Sequence, residues 1–587
     1  MTDADLDPVE LEILRNQLES VAEEMGRVLI RGAYSPNVTE RRDCSTALFD
    51  AEGRMVAQAE HIPVHLGAMP EAVAAVLECD PEPGDTFVLN DPFAGGTHLP
   101  DVTLVSPLAP DEAGGERDGA DEDGDDEIVG YAVSRAHHAD VGGSAPGSMP
   151  AGAREIFQEG LRLPPVRLVA GGEVNEDVLD LLLANVRTPD ERRADLRAQM
   201  AANDRAEERV GDLLADHGDR LLGAFDAVID YSRERVESEL ADLPDGEYSA
   251  RDVLEGDGLR EDDVPIAVTV TVEESSLSVD FSGTAEQVPG NLNAPLAVAK
   301  SAVYFVVRCL TDPEIPPNHG CYAPVSVHAP EGSLLNPDPP AAVVGGNVET
   351  SQRVTDVVFA ALADAVPERV PAAGQGTMNN LIIGNRGSAS GRGDGAVANG
   401  EDGESGDAPA FTYYETIGGG FGARPDADGM DGVQVGMTNT LNTPVEALEA
   451  EYPLRVERYA LRPDTGGAGE YRGGLGLARA VTVGTDATVS LLTERRRHAP
   501  QGLAGGESGA VGQNRIDGER VGAKTTVDVE AGATVTVLTP GGGGYGDPDE
   551  RDSDAVERDR EDGKASRADG KVTDATPEDE APADDGT

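Results

Sequence analysis

Histidines and carboxylates gather in one stretch of this chain. It opens with Asn90-Asp91-Pro92-Phe93-Ala94-Gly95-Gly96-Thr97-His98-Leu99-Pro100-Asp101. After an acidic loop it resumes with Ser134-Arg135-Ala136-His137-His138-Ala139-Asp140-Val141-Gly142-Gly143. Counting His65 just upstream, four of the nine histidines lie in or near it. Imidazole nitrogen with one carboxylate is the ligand set of an exchangeable Zn, Mn or Fe centre that keeps positions open for a substrate. His98 and Asp101 stand three apart, and Pro100 argues against a helix interior. The pair therefore belongs on a turn, where both side chains can converge. Residues 128–138 alternate like a strand, on which neighbours face opposite ways, so His137 and His138 cannot both ligate unless the strand has ended. The reading favours His137 as third ligand, with His138 and Asp140 as supporting or acid–base groups. Spacing alone also fits ordinary core or turn histidines.

Polar positions elsewhere are candidate substrate contacts. Asp43 sits in the cluster Glu40-Arg41-Arg42-Asp43-Cys44-Ser45. His61 and His65 are four apart, but Pro63 between them breaks the geometry that would let a helix present both to a metal. Asn347 and Glu349 follow Gly345-Gly346 at a helix start, where backbone amides can bind an anion.

These residues need a frame. Asp7-Pro8-Val9-Glu10 is a helix-opening signature, and Leu11, Leu14, Leu18, Val21, Met25 and Val28 then recur at helical spacing up to Gly32. Thr188-Pro189-Asp190-Glu191 opens a second long helix that closes near His217-Gly218, and a third runs to about Leu240. Ile266, Val268, Val270 and Val272, then Leu277, Val279 and Phe281, alternate as a hairpin. Residues 296–310 read as a buried helix, and residues 480–483, 488–492, 525–529 and 533–538 as short strands. The fold class is mixed α/β (α+β). A helical, metal-bearing part spans about 5–250, a strand-rich part about 251–546, and a disordered acidic tail 547–587. Residues 110–127 read as a solvated loop and 386–409 as a mobile insertion. The glycines of residues 418–422 form no dinucleotide fingerprint; they mark close backbone packing or a substrate-lining loop.

The formal net charge is −64, from 110 acidic and 46 basic residues, so nucleic acid and anionic membranes are excluded as partners. Such an excess suits a halophilic protein from an acidic proteome, kept soluble in high salt. Four cysteines without a CxxC fit reduced thiols in a cytoplasmic protein, and no apolar run is long enough to span a membrane. Lysine occurs only at 300, 524, 564 and 571, and Gly-x4-Gly-Lys-Ser/Thr is absent. A reaction that uses ATP would therefore need another polypeptide to bind it.

Several stretches together resemble the hydantoinase B/oxoprolinase family, which includes the N-methylhydantoinase B subunit and is related to a large subunit of acetone and acetophenone carboxylases. They are Glu40-Arg41-Arg42-Asp43, Ala59 to Gly67, Asn90 to Asp101, Arg135 to Gly143, Asp280-Phe281-Ser282-Gly283-Thr284, Gly345 to Ser351, Met437-Thr438-Asn439-Thr440 and the closing glycine-rich turn. The chain departs from the usual pattern at Val433-Gln434-Val435-Gly436, where many members carry histidines. The resemblance implies a divalent metal on His98, Asp101 and His137. It also implies a hydantoinase A-like ATPase subunit that phosphorylates a carbonyl or enol oxygen. Three activities follow: ATP-dependent opening of a hydantoin or 5-oxoproline ring, ketone carboxylation by the same architecture, or a non-catalytic partnership with the A subunit.

Overall fold

A computed structural model describes residues 6–60, 62–109, 128–385 and 410–566. The expected acidic loop, the expected insertion, His61 and the last part of the expected tail, 567–587, lie outside the described residues.

The first half is built on a seven-stranded sheet. Its strands are β1 (Cys44–Asp50), β2 (Met55–Glu60), β3 (Thr86–Leu89), β4 (Asp101–Leu108), β5 (Gly130–His137), β6 (Val166–Ala170) and β7 (Glu173–Val174), in the order β2-β1-β5-β4-β3-β6-β7. Every pairing in it is antiparallel. Strand alternation splits the side chains between two cores. Leu48, Ala132 and Ala136 pack under the helix Pro8–Gly32 and the helix Pro189–His217. Ala47, Phe49, Tyr131 and Val133 face the opposite way, into the core shared with the buried helix Leu296–Leu310 and the helix Ser351–Leu362.

The first helix forms as its sequence dictates. The Asp7 carboxylate accepts from Val9 N and Glu10 N, capping two otherwise orphaned donors, and Leu14, Leu18, Val21 and Met25 supply the buried stripe. Each fully buried leucine contributes roughly 2 kcal/mol. The expected hairpin is Val264–Glu273 paired with Ser276–Asp280, within a four-stranded sheet. A second four-stranded sheet holds Phe411–Glu415, Asn380–Asn385, Ala487–Leu492 and Lys524–Val529, and a five-stranded sheet closes the chain.

The described part of the expected tail is folded. Residues 553–561 form a helix, and Arg551 and Asp559 pair with each other at 2.7 Å. Arg551 also reaches Asp428 at 2.7 Å, and Asp559 reaches Arg472 at 3.3 Å. High charge reads as disorder when it is solvated; here it is spent on ion pairs to Asp428 and Arg472. The glycines of 418–422 are packing residues: a Cβ on Gly420 would meet Gly474 O at 2.1 Å and Gly542 N at 2.2 Å.

Candidate metal centre

Adjacent strands carry the site. Asp101 opens β4 and faces His137 at the end of β5 in the strand register. His137 N donates to Asp43 O, 3.0 Å away on the residue before β1. The loop that delivers His98 is closed by Asn90, whose side chain donates to Leu99 O and Leu161 O and accepts from Leu163 N. It also turns through Gly95 at φ +90°, a conformation that side chains rarely adopt.

The result is a convergence of donor atoms. His98 Nε2 lies 2.8 Å from Asp101 Oδ1, and His137 Nδ1 lies 3.0 Å from the same oxygen. Ligand atoms of the three residues all fall within 4.8 Å of one another, and all three side chains are buried. His65 Nε2 comes within 3.5 Å of Asp101 Oδ2, while its Nδ1 is held 2.9 Å from Ser45 Oγ. Neither ring nitrogen of His98 makes a hydrogen bond, although the residue is 1% exposed. Buried polar atoms are nearly always satisfied. An unpaired imidazole nitrogen turned toward a carboxylate oxygen and a second imidazole is the arrangement a divalent cation fits. Burial pushes the His98 pKa down, against the pull of Asp101, and so favours the neutral, ligating ring. Burial alone would raise Asp101, but the imidazoles of His98, His137 and His65 outweigh it and hold the carboxyl well below its usual range.

A pocket of about 20 Å³ opens among these groups, lined also by Asp43, Asn347, Tyr414, Thr416 and Thr438. That is room for an ion and a water. Asn347 Oδ1 is buried there without a partner. Sequence reading misses the residues that brace the site. The Tyr414 ring stacks on His137 at 4.8 Å, and its hydroxyl donates to Asn380 Oδ1 at 3.0 Å. The Arg41 guanidinium lies 4.7 Å from the Tyr414 centroid and donates to Tyr414 O and Thr416 Oγ1. Arg135 donates to Thr97 Oγ1 and approaches Asp101 Oδ2 at 3.5 Å. The aromatic pair Tyr413-Tyr414 before a glycine run is the available signal for Tyr414.

Three expected site residues fall elsewhere. His138 follows the strand alternation to the far face, where Nε2 meets Gln199 Oε1 at 2.9 Å, and burial lowers its pKa to about 4. Asp140 is consumed by structure: it accepts from Gly142 N, Gly147 N, Arg187 N and Arg187 Nη1. Glu349 does not line the pocket; it accepts from Met378 N and from Asn380 Nδ2, the neighbour of Tyr414. Burial, with the Glu494 charge adding to it, pushes the Glu349 carboxyl up to about 8.

The glycine-led helix start at 345 also differs from expectation. Just upstream, the amides of Val343 and Val344 are taken by the chain's own Glu159 carboxyl, and Gly346 N by Asn291 O and Val343 O. Burial raises the Glu159 pKa from 4.5 to about 8. The unfolded chain thus releases this proton first as pH rises, so the carboxyl's contribution to stability is full below about 4.5 and fades up to about 8. Glu159→Gln is expected to flatten the loss of unfolding free energy across that same window, measured by urea denaturation. An unchanged slope would remove Glu159 from that role.

The hydantoinase B/oxoprolinase family profile matches residues 7–548. This chain belongs to that family. An uncharacterised protein of Methanocaldococcus jannaschii is 40% identical over 96% of this chain and 94% of its own. A putative B chain of a D-/L-hydantoinase from a Pseudomonas species is 32% identical, covering 94% and 92%. 5-Oxoprolinase 1 of Arabidopsis thaliana is 38% identical over 92% of this chain, which spans only 42% of that longer protein. Among solved structures, an ATP-dependent caprolactamase from Pseudomonas jessenii superposes with a TM-score of 0.83 at 29% identity, covering 97% of both chains. The family's mixed α/β class is borne out by a chain that combines helices with several sheets. No helix among the described residues is long and apolar enough to cross a membrane.

Proposed function

We propose that this chain is the B subunit of an ATP-dependent hydrolase that opens a five-membered cyclic amide, of the hydantoinase or 5-oxoprolinase type. One observation carries the reading: two imidazoles and a carboxylate converge in a pocket that a second carboxylate, Asp43, also lines. The relatives named above add the reaction class.

His98, Asp101 and His137 would hold the divalent ion, Zn, Mn or Fe. When bound, such an ion supplies Lewis acidity toward a carbonyl or phosphate oxygen. The remaining work falls to the chain. Asp43 accepts the proton of the attacking water as general base. Asn347 Oδ1, buried and unpaired, takes the ring N–H and orients the amide. His65, fixed by Ser45, faces the other Asp101 oxygen, Oδ2, at 3.5 Å. Tyr414 clamps the His137 ring, so that His137 does not turn between turnovers. His61, expected to touch substrate, takes no part in this account.

ATP is handled by a separate A subunit, in keeping with a longer oxoprolinase of which this chain matches 42%. The test is reconstitution with that subunit and 5-oxoproline or hydantoin. ATP-dependent ring opening is expected; a fully metallated complex that leaves both rings intact overturns the reading, and bicarbonate-dependent product would mark a carboxylase instead. Asp43→Asn is expected to lower kcat by roughly 10²–10³-fold with metal content unchanged. An unaltered kcat would assign the base elsewhere.

A further inference from the structure

A cleft of about 810 Å³ opens at the edge strand β2, between the first helix and the turn at 313–317. It dwarfs the metal pocket of about 20 Å³. Two chain segments run from the wall of one space to the wall of the other. Arg42 lines the cleft and the next residue, Asp43, lines the pocket; Gln58 and Ala59 line the cleft, and Ile62 and His65 the pocket.

The charges in this cleft are unusual for so acidic a protein. Its helix carboxylates are already paired, Glu19 with Arg15 at 3.6 Å and Glu23 with Arg27 at 2.6 Å. Arg31 and Arg42 have no ion pair among the described residues, against one uncommitted carboxylate, Glu314, on the far wall. The backbone spends strain to place Arg42 there: it is a non-glycine residue at φ +55°, a conformation that costs about 1–2 kcal/mol. That turn leaves Arg42 exposed while Asp43 lines the metal pocket and Arg41 donates to Tyr414 O. A second signal comes from Gln58. It is 7% exposed, lines the same cleft, and neither its amide oxygen nor its amide nitrogen has a partner. Buried amide groups in that state point to a polar ligand.

We infer that this cleft receives the phosphoryl group of the activated substrate, with Arg31 and Arg42 holding its oxygens and the Gln58 amide donating to it. The inference rests on the proposed reaction, in which a phosphorylated amide must pass from the ATP-using subunit to the metal pocket.

The test is calorimetric titration of the isolated, metallated chain with inorganic phosphate, acetyl phosphate and ATP. Phosphate and acetyl phosphate are expected to compete for one cleft site. Arg31→Gln/Arg42→Gln, both exposed and outside the fold's core, should weaken that site about tenfold or more, and His98→Ala should leave it unchanged. Binding that survives the double arginine variant, or that His98→Ala abolishes, overturns the inference, as does absence of saturable binding. ATP binding more tightly than acetyl phosphate at the same site would make the cleft a nucleotide site and equally overturn it. Failure here leaves ring opening untouched, and failed ring opening with intact phosphate binding would sink the hydrolase reading alone.

Discussion

Replacing His98 with alanine is expected to strip the divalent ion and slow ring opening roughly 10³-fold, while the fold persists. The ring is 1% exposed and its close partner is Asp101 Oδ1 at 2.8 Å, which keeps His137 Nδ1 at 3.0 Å, so truncation removes a ligand without leaving that carboxylate alone. Loss of the ion forfeits several kcal/mol of transition-state stabilisation, and each 1.36 kcal/mol is about tenfold in rate. Elemental analysis and circular dichroism check both halves of the result. His138→Ala is the control: its Nε2 meets Gln199 on the far face of the strand, so the variant should keep full metal stoichiometry. A variant at 98 that retains metal and turnover would dissolve the site.

Removing Arg353 is expected to cause the largest loss of stability. This guanidinium is fully buried and sits 3.0 Å from Asp252, 3.3 Å from Glu494 and 3.7 Å from Asp356. It ties the helix Ser351–Leu362 to the strand Gly246–Leu254 and to the segment after Ala487–Leu492. Arg495 shares Asp252 and Asp356, and Lys524 shares Glu494, so part of the charge stays compensated. Arg353→Met should still cost about 3 kcal/mol, the lower end for breaking a buried ionic network. Urea denaturation reads it; a loss under about 1 kcal/mol would mean the neighbours suffice.

Much of this architecture is legible in the sequence because local rules agree with the final packing. The helices Pro8–Gly32 and Leu296–Leu310 end where capping and apolar periodicity put them. His137 separates from His138 because alternation is a property of the strand itself. What is illegible comes from afar. Tyr414 and Arg41 meet across 373 residues, and no local pattern announces such a pair. Asp140 takes a structural role instead of the expected acid–base one, although Asp-x-Gly is the signature of a side chain bonding its own backbone two residues on. The charged segment near Arg551 and Asp559 reads as disorder because composition records charges but not their partners.

The hairpin of β4 and β5 has one last consequence. Asp101 and His137 form its rung at one end, and Leu108 and Gly130 its rung at the other. Seven steps of about 3.4 Å separate the rungs, so the connection after Ala109 leaves the sheet about 24 Å from the ligands. A reporter domain spliced in between Leu108 and Gly130 would be attached at the end of the hairpin opposite the ligands.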